Sequence, residues 1–122
     1  MFVKNRPMEN APIIYENEFA IAFYLPVPND SNLAAQVIFR DLGFYLTLDE
    51  LKKFSYQAAD GLAKGHCANC PHQDNCRSLL LRTPSSKMDM AVSRNELCLL
   101  LEFLDHTILR IEAQNYMTFA FN

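Results

Sequence analysis

Val37-Ile38-Phe39-Arg40-Asp41-Leu42-Gly43-Phe44-Tyr45-Leu46-Thr47-Leu48-Asp49-Glu50-Leu51 sets the pattern of this chain. Val37 to Arg40 is rich in apolar and β-branched residues and reads as a strand. Asp41-Leu42-Gly43 supplies a turn, with Gly43 free to take a positive φ. Phe44-Tyr45-Leu46 returns as a second strand. Thr47-Leu48-Asp49-Glu50 is a capping box: the threonine hydroxyl accepts from an early helix N–H, and the glutamate reaches back to the Thr47 amide. A helix follows, with Leu51, Phe54, Ala58 and Leu62 on one face and Gly61 or Gly65 to end it.

The same order recurs downstream. Ser78 to Thr83 reads as a strand closed by Pro84, and Ser85-Ser86-Lys87 is the turn. Met88 to Val92 alternates as a return strand, and Ser93-Arg94-Asn95-Glu96 is a second capping box. Leu97, Leu101, Leu104, Ile108 and Ile111 then recur with the helical period. Two strands and a helix cannot bury an apolar face alone, so the two units are expected to share one sheet and one core. The expected class is α+β: an antiparallel sheet built from two β-β-α repeats, with two main helices on one face.

Upstream, Pro7 and Pro12 mark residues 1–12 as an irregular arm. Ile13-Ile14-Tyr15 is a short strand and Glu16-Asn17-Glu18 a turn. Phe19, Ile21, Phe23 and Leu25 alternate with Ala20, Ala22 and Tyr24, which gives a strand with one heavy face; the two alanines keep a helix open as the alternative. Pro26 to Asn32 is a loop. The division is therefore an arm (1–12), added strands and loop (13–33), a first unit (34–65), a connector (66–77), a second unit (78–115) and an apolar tail (116–122). Phe119 and Phe121 in the tail suit an edge strand or a contact with a partner.

The connector carries the chemistry. His66-Cys67-Ala68-Asn69-Cys70-Pro71-His72-Gln73-Asp74-Asn75-Cys76 holds three of the four cysteines and two of the three histidines. Cys67 and Cys70 have the spacing of a metal knuckle, with Cys76 as third thiolate and His72 as fourth ligand. His66 is the alternative, although adjacency to Cys67 hinders joint ligation. Zinc fits this set. An iron–sulfur cluster needs a fourth cysteine, and only Cys98 remains, in the middle of a helix. A metal-free polar loop with reduced thiols is the bland reading. Cys98 itself reads as a small buried residue on an apolar stripe, and His106 as a solvent-side helix residue. Asp74 is the only carboxylate in the connector, so the site reads as structural and not catalytic.

Arg40 and Arg82 close equivalent strands, and together they would clamp an anion; charged strand ends in water are the simpler account. No phosphate loop, nucleophile elbow or metalloprotease helix is present. A net charge of −3 speaks against electrostatic binding of nucleic acid. Phe19, Phe23, Phe39, Phe44, Tyr45 and Phe54 fit core positions better than a base-stacking platform. Met1 to Pro7 has charge but no apolar run behind it, and Leu97 to Leu101 is too short to span a bilayer, so no membrane and a cytoplasmic location are expected. Leu97, Leu99, Leu100, Leu101, Phe103 and Leu104 cannot share one helix face. Either that helix is covered on two sides, or the apolar face of residues 94–112 makes a homodimer or takes a protein partner.

The run from Val37 to Leu51, the cysteine cluster and Leu80-Leu81-Arg82-Thr83-Pro84 resemble an uncharacterised family of short bacterial proteins known only as a domain of unknown function. The resemblance covers residues 34–112 and implies no activity. The reading of the residues themselves is a metal-stabilised binding or regulatory module. A thiol or metal redox sensor is the alternative, and an enzyme with an anion pocket near Arg40 and Arg82 the third.

Overall fold

The structure, a computed structural model, describes residues 12–25, 32–64 and 75–121. His66, Cys67, Cys70, His72 and Asp74 lie outside them, as do most of the arm and the loop at 26–31. Six strands and two helices follow in the order β1 (Ile13–Glu16), β2 (Ala20–Tyr24), β3 (Leu33–Phe39), β4 (Leu42–Thr47), α1 (Leu48–Lys64), β5 (Leu79–Arg82), β6 (Asp89–Val92) and α2 (Arg94–Phe121). The class is α+β. The first four strands form an antiparallel meander in sequence order, while β5 and β6 pair in a sheet of their own. The expectation that both hairpins share one sheet is corrected here. The second hairpin packs on α1, its Leu81, Met90 and Val92 buried. Gly61 of α1 leaves room there for Leu81 and Leu97, each within 4 Å of where a Cβ would stand.

Both helices cover one face of the meander, α2 over β1 and β2 and α1 over β3 and β4, and they also pack on each other. The register decides which side chains face them. Ala20 pairs with Phe39, Ala22 with Val37 and Tyr24 with Ala35; Val37 pairs with Phe44 and Ala35 with Leu46. Directly opposed residues share a face, so the alanines of β2 are the core side. Ala22 is fully buried, whereas Ile21 and Phe23 on the other face are half-buried. The heavy face of β2 therefore points away from the helices. Alanine under α2 lets helix and sheet approach closely, and the bulk of that layer comes from the helix instead. Phe23 and Tyr45 likewise stand on the outer face, not in the core where the aromatics were placed. Phe39 and Phe54 are core as expected, with Phe19 and Phe44 packed against them.

The first hairpin turns one step earlier than expected. Phe39 pairs with Leu42, so Arg40 and Asp41 alone form the loop and Gly43 lies within β4. Arg40, and not Gly43, takes the positive φ, at 53°. The second helix is longer than expected and runs through the supposed tail to Phe121. Leu97, Leu100, Phe103, Leu104, Thr107 and Ile111 are buried along it, with Leu99 and Leu101 half-buried. The wide apolar stripe is thus consumed inside one chain, between the sheet and α1. Cys98, expected in that stripe, is exposed. Among the described residues no helix is long and apolar enough to cross a membrane.

Ala22→Leu should destabilise the protein by about 2 kcal/mol through overpacking under α2. Ile21→Ala, on the open face, should cost less than about 1.5 kcal/mol. Urea unfolding of the two variants checks which face is the core; the reverse order would place the core on the heavy face.

Candidate functional site

Both capping boxes form. Glu50 accepts from the Thr47 amide at 2.9 Å and its own amide donates to the Thr47 hydroxyl at 3.1 Å. Glu96 accepts from the Ser93 amide at 3.0 Å and returns a bond to the Ser93 hydroxyl at 3.1 Å. The local chemistry is the same, but the surroundings differ. Glu50 stays exposed. Glu96 is buried to a side-chain exposure of 17 % and gathers two guanidinium groups. Arg40 reaches it from the β3–β4 turn at 2.5 Å. Arg77, just past the cysteine segment, grips both carboxylate oxygens at 2.8 to 3.1 Å.

Burial pushes the Glu96 pKa up; the bonds from Arg77, the Ser93 amide and Arg40 outweigh it and bring it down to about 2. The helix N-terminus favours the anion as well. One carboxylate thus joins the first hairpin, the connector and the start of α2. The sequence showed Glu96 only as a cap. Nothing in its spacing signalled that Arg40 and Arg77 meet there.

The described end of the cysteine segment lies across this same turn. Asn95 donates to the Asn75 side chain at 3.0 Å, so Cys76 sits between two anchored neighbours, Asn75 and Arg77. Cys76 is half-buried and its thiol is free. Cys98 follows Asn95 by one helical turn. Among the described residues, no group of three or more His, Cys, Asp or Glu is arranged to hold a metal.

A second polar cluster lies further along α2. Glu102, His106 and Arg110 are spaced one turn apart, so they share a stripe. The Tyr15 hydroxyl donates to Glu102, and the Tyr15 ring stacks on His106 with centroids 4.7 Å apart. Arg110 lies 5.2 Å from the centre of the same ring and donates to the Ile14 carbonyl at 3.1 Å. Asn17 donates to Glu102 at 2.7 Å and to the Leu99 carbonyl, while its own oxygen holds the Phe19 and Ala20 amides. The bonds from Tyr15 and Asn17 hold the Glu102 carboxyl below its ordinary range, and the bond to Glu102 raises the Tyr15 hydroxyl. Tyr15, Asn17, Glu102, His106 and Arg110 each make at least one hydrogen bond to another member of the cluster or to the backbone of β1 or α2. The arrangement fastens the β1–β2 hairpin to α2. His106 is on the solvent side, as expected.

The structure gives Arg40 and Arg82 separate carboxylates. Arg40 is on Glu96, and Arg82, largely exposed, lies 3.8 Å from Asp89 across its own hairpin. Arg82 also lines a shallow cleft of about 210 Å³ between α1 and the β5–β6 turn, with Glu50, Lys53 and Gln57. No family model, no curated protein and no solved structure matches this chain.

The sign of the Glu96 effect is set by its depressed pKa. In the unfolded chain the carboxyl protonates near 4.5; in the folded one it stays ionised down to about 2. Its contribution is therefore complete above about pH 4.5 and is lost as the pH falls from there towards 2. That gap corresponds to at most roughly 3 kcal/mol, less for the solvent around Arg77. Glu96→Gln should lower stability at pH 7 by about 2 kcal/mol. The difference from the unsubstituted protein should begin to shrink below about pH 4.5 and approach zero only near pH 2 in urea titrations. A difference that holds constant with pH would remove the charge from the explanation.

Proposed function

We propose that this chain is a small metal-stapled module that works through protein contacts, with the far end of α2 as its contact surface. One observation carries the reading. Among the described side chains Ile111 is the last buried one of α2, yet the helix continues to Phe121 with residues 112–120 all exposed. Tyr116, Met117 and Phe119 on this stretch are 65, 55 and 86 % exposed. No charged residue occurs from Ala113 to Phe121. Solvated helix faces are ordinarily charged or polar, and an uncharged end that exposes Tyr116, Met117 and Phe119 suits burial against a partner helix or a second copy. The stripe between Leu97 and Leu104 is internal, so the contact is assigned to the far end of the helix and not to residues 94–112 as a whole.

The staple is the cysteine segment, with Cys67, Cys70, Cys76 and His72 as a zinc set and His66 or Cys98 as alternative fourth ligands. Its support is the donor chemistry of the segment. The anchoring of Asn75 and Arg77 on the first turn of α2 adds to it, bringing the segment's end to the helix that carries Cys98. A bound ion here would tie the end of α1 to the start of α2, where Arg94 already donates to the Leu62 carbonyl at 3.5 Å.

Two measurements test the two halves. Replacing Phe119 by the photo-crosslinker p-benzoylphenylalanine should give one discrete cross-linked product on irradiation in cells; a ladder or no product would end the contact reading. Protein purified without added metal should contain about one zinc per chain and lose stability on chelation. A brown, iron-containing protein would shift the reading to a redox sensor, and a metal-free protein indifferent to chelator would remove the staple.

A further inference from the structure

We infer that β4 is a self-pairing edge: it adds antiparallel to β4 of a second copy and makes one continuous sheet twice as wide. The surface is separate from the end of α2, and the inference does not rest on the contact reading above.

The meander has two edges, and they are treated differently. At β1 the ladder is bulged between Ile13 and Tyr15. Arg110 takes the Ile14 carbonyl, and Glu16 places a charge at the strand end. A bulge, a covered carbonyl and a charge are the usual guards against edge pairing. Leu42-Gly43-Phe44-Tyr45-Leu46-Thr47 has no charge, no proline and no extra residue of its own. Among the described residues β4 pairs only with β3.

The register shows which backbone groups are left over. Phe39 and Leu42 close a two-residue loop, so they form a hydrogen-bonded pair, as do Val37 with Phe44 and Ala35 with Leu46. The N–H and C=O groups of Gly43, Tyr45 and Thr47 point the other way, to the open edge. The Thr47 amide is taken by Glu50 at 2.9 Å. Gly43 and Tyr45 remain, and they are self-complementary. Opposed antiparallel, Gly43 of each copy faces Tyr45 of the other, and both residues exchange their N–H and C=O across the join. Phe44 then faces its own symmetry mate and Leu42 faces Leu46.

The side chains agree with this register. Tyr45 is 55 % exposed and stands on the outer face, held by a bond from the Gln36 amide at 3.3 Å. Its opposite number would be a glycine, and an aromatic ring over a cross-strand glycine is a stabilising pair. On the helix side, Phe44 beside Phe44 extends a stack that already includes Phe39 and Phe54. Between Leu42 and Leu46 no charged side chain enters the join. The contact has a two-fold axis through Phe44, so it closes as a dimer and leaves only the guarded β1 edges outside.

The test combines sedimentation equilibrium with residue-resolved amide exchange on the full chain. The expected mass is twice the 14.0 kDa chain mass. The Gly43 and Tyr45 amides should gain at least about tenfold protection as association proceeds. Gly43→Pro removes an outward N–H and leaves the bonds to β3; Tyr45→Lys charges the edge. Either should return the chain mass with the fold intact by circular dichroism and restore fast exchange at Tyr45. Two variants are used because proline at Gly43 adds its own backbone restraint. A chain that stays monomeric up to about 1 mM overturns the inference. So does a dimer whose Gly43 and Tyr45 amides exchange freely, which is what association through α2 alone would give. Protection of those amides in a monomer would mean that the chain pairs its own edge, and would overturn it too.

Discussion

The carboxylate of Glu96 is the constraint on which the rest of the architecture leans. It closes the cap of α2, receives Arg40 from the first hairpin and receives Arg77 from the end of the connector. Each partner comes from a different stretch, so the angle of hairpin and connector to the helix is set at one point. Arg40 shows how strongly the point is enforced. A left-handed φ costs a side-chain-bearing residue roughly 1 kcal/mol or more, and glycine would avoid the cost. Arginine stands there because its guanidinium reaches Glu96 and also lies 5.8 Å from the Phe19 ring centre. Its Nε is buried without a partner, a further cost of holding that geometry. A charge pair this sheltered contributes more to fixing one arrangement than to net stability, because desolvation offsets much of its attraction.

The second constraint is thickness. Two helices and a hairpin must share a core with four short strands. Alanine at positions 20, 22 and 35 keeps the sheet's helix side thin, and Phe39, Leu97, Leu100, Phe103 and Leu104 fill the layer. This explains why α2 is apolar on more than one side in its first half: it packs on β1 and β2 and also on α1. It also explains the outer row of half-buried Ile21 and Phe23 and exposed Tyr45, which lies on the face away from both helices.

What was legible in the sequence was local. The capping boxes at Thr47 and Ser93, the helix faces at Leu51, Phe54 and Ala58, and the strand character of residues 20–24 are set by neighbours within a few positions. What was not legible depended on distant partners. The turn was placed at Gly43 by the glycine rule, and a guanidinium–carboxylate bond across 56 positions overrode it. The heavy face of β2 was the natural core face until α2 required a thin one. Cys98 sits in an apolar run, but the helix rotation set by Leu97, Leu100 and Leu104 turns it to solvent. Of the candidate site, the glutamate was visible as a cap and Arg40 as a strand-end cation. Their meeting was not visible, and neither was the anchoring of the connector through Arg77. The metal set at Cys67, Cys70 and His72 lies outside the described residues, with Cys76 alone inside them.

The length of α2 follows from the same economy. Its first half is nucleated by burial against the sheet and α1, with Glu96 at its start. Nucleation is the costly step in a helix, while each added residue propagates at little expense. The stretch beyond Ile111 is therefore held helical without tertiary support. Lys52 and Glu112, paired at 2.8 Å, mark the last tie between α1 and α2. Past that tie the helix carries no charge up to Phe121, its polar side chains are Gln114, Asn115 and Thr118, and Tyr116, Met117 and Phe119 stand exposed. The order of this stretch is thus inherited from the buried first half of the helix and not from contacts of its own.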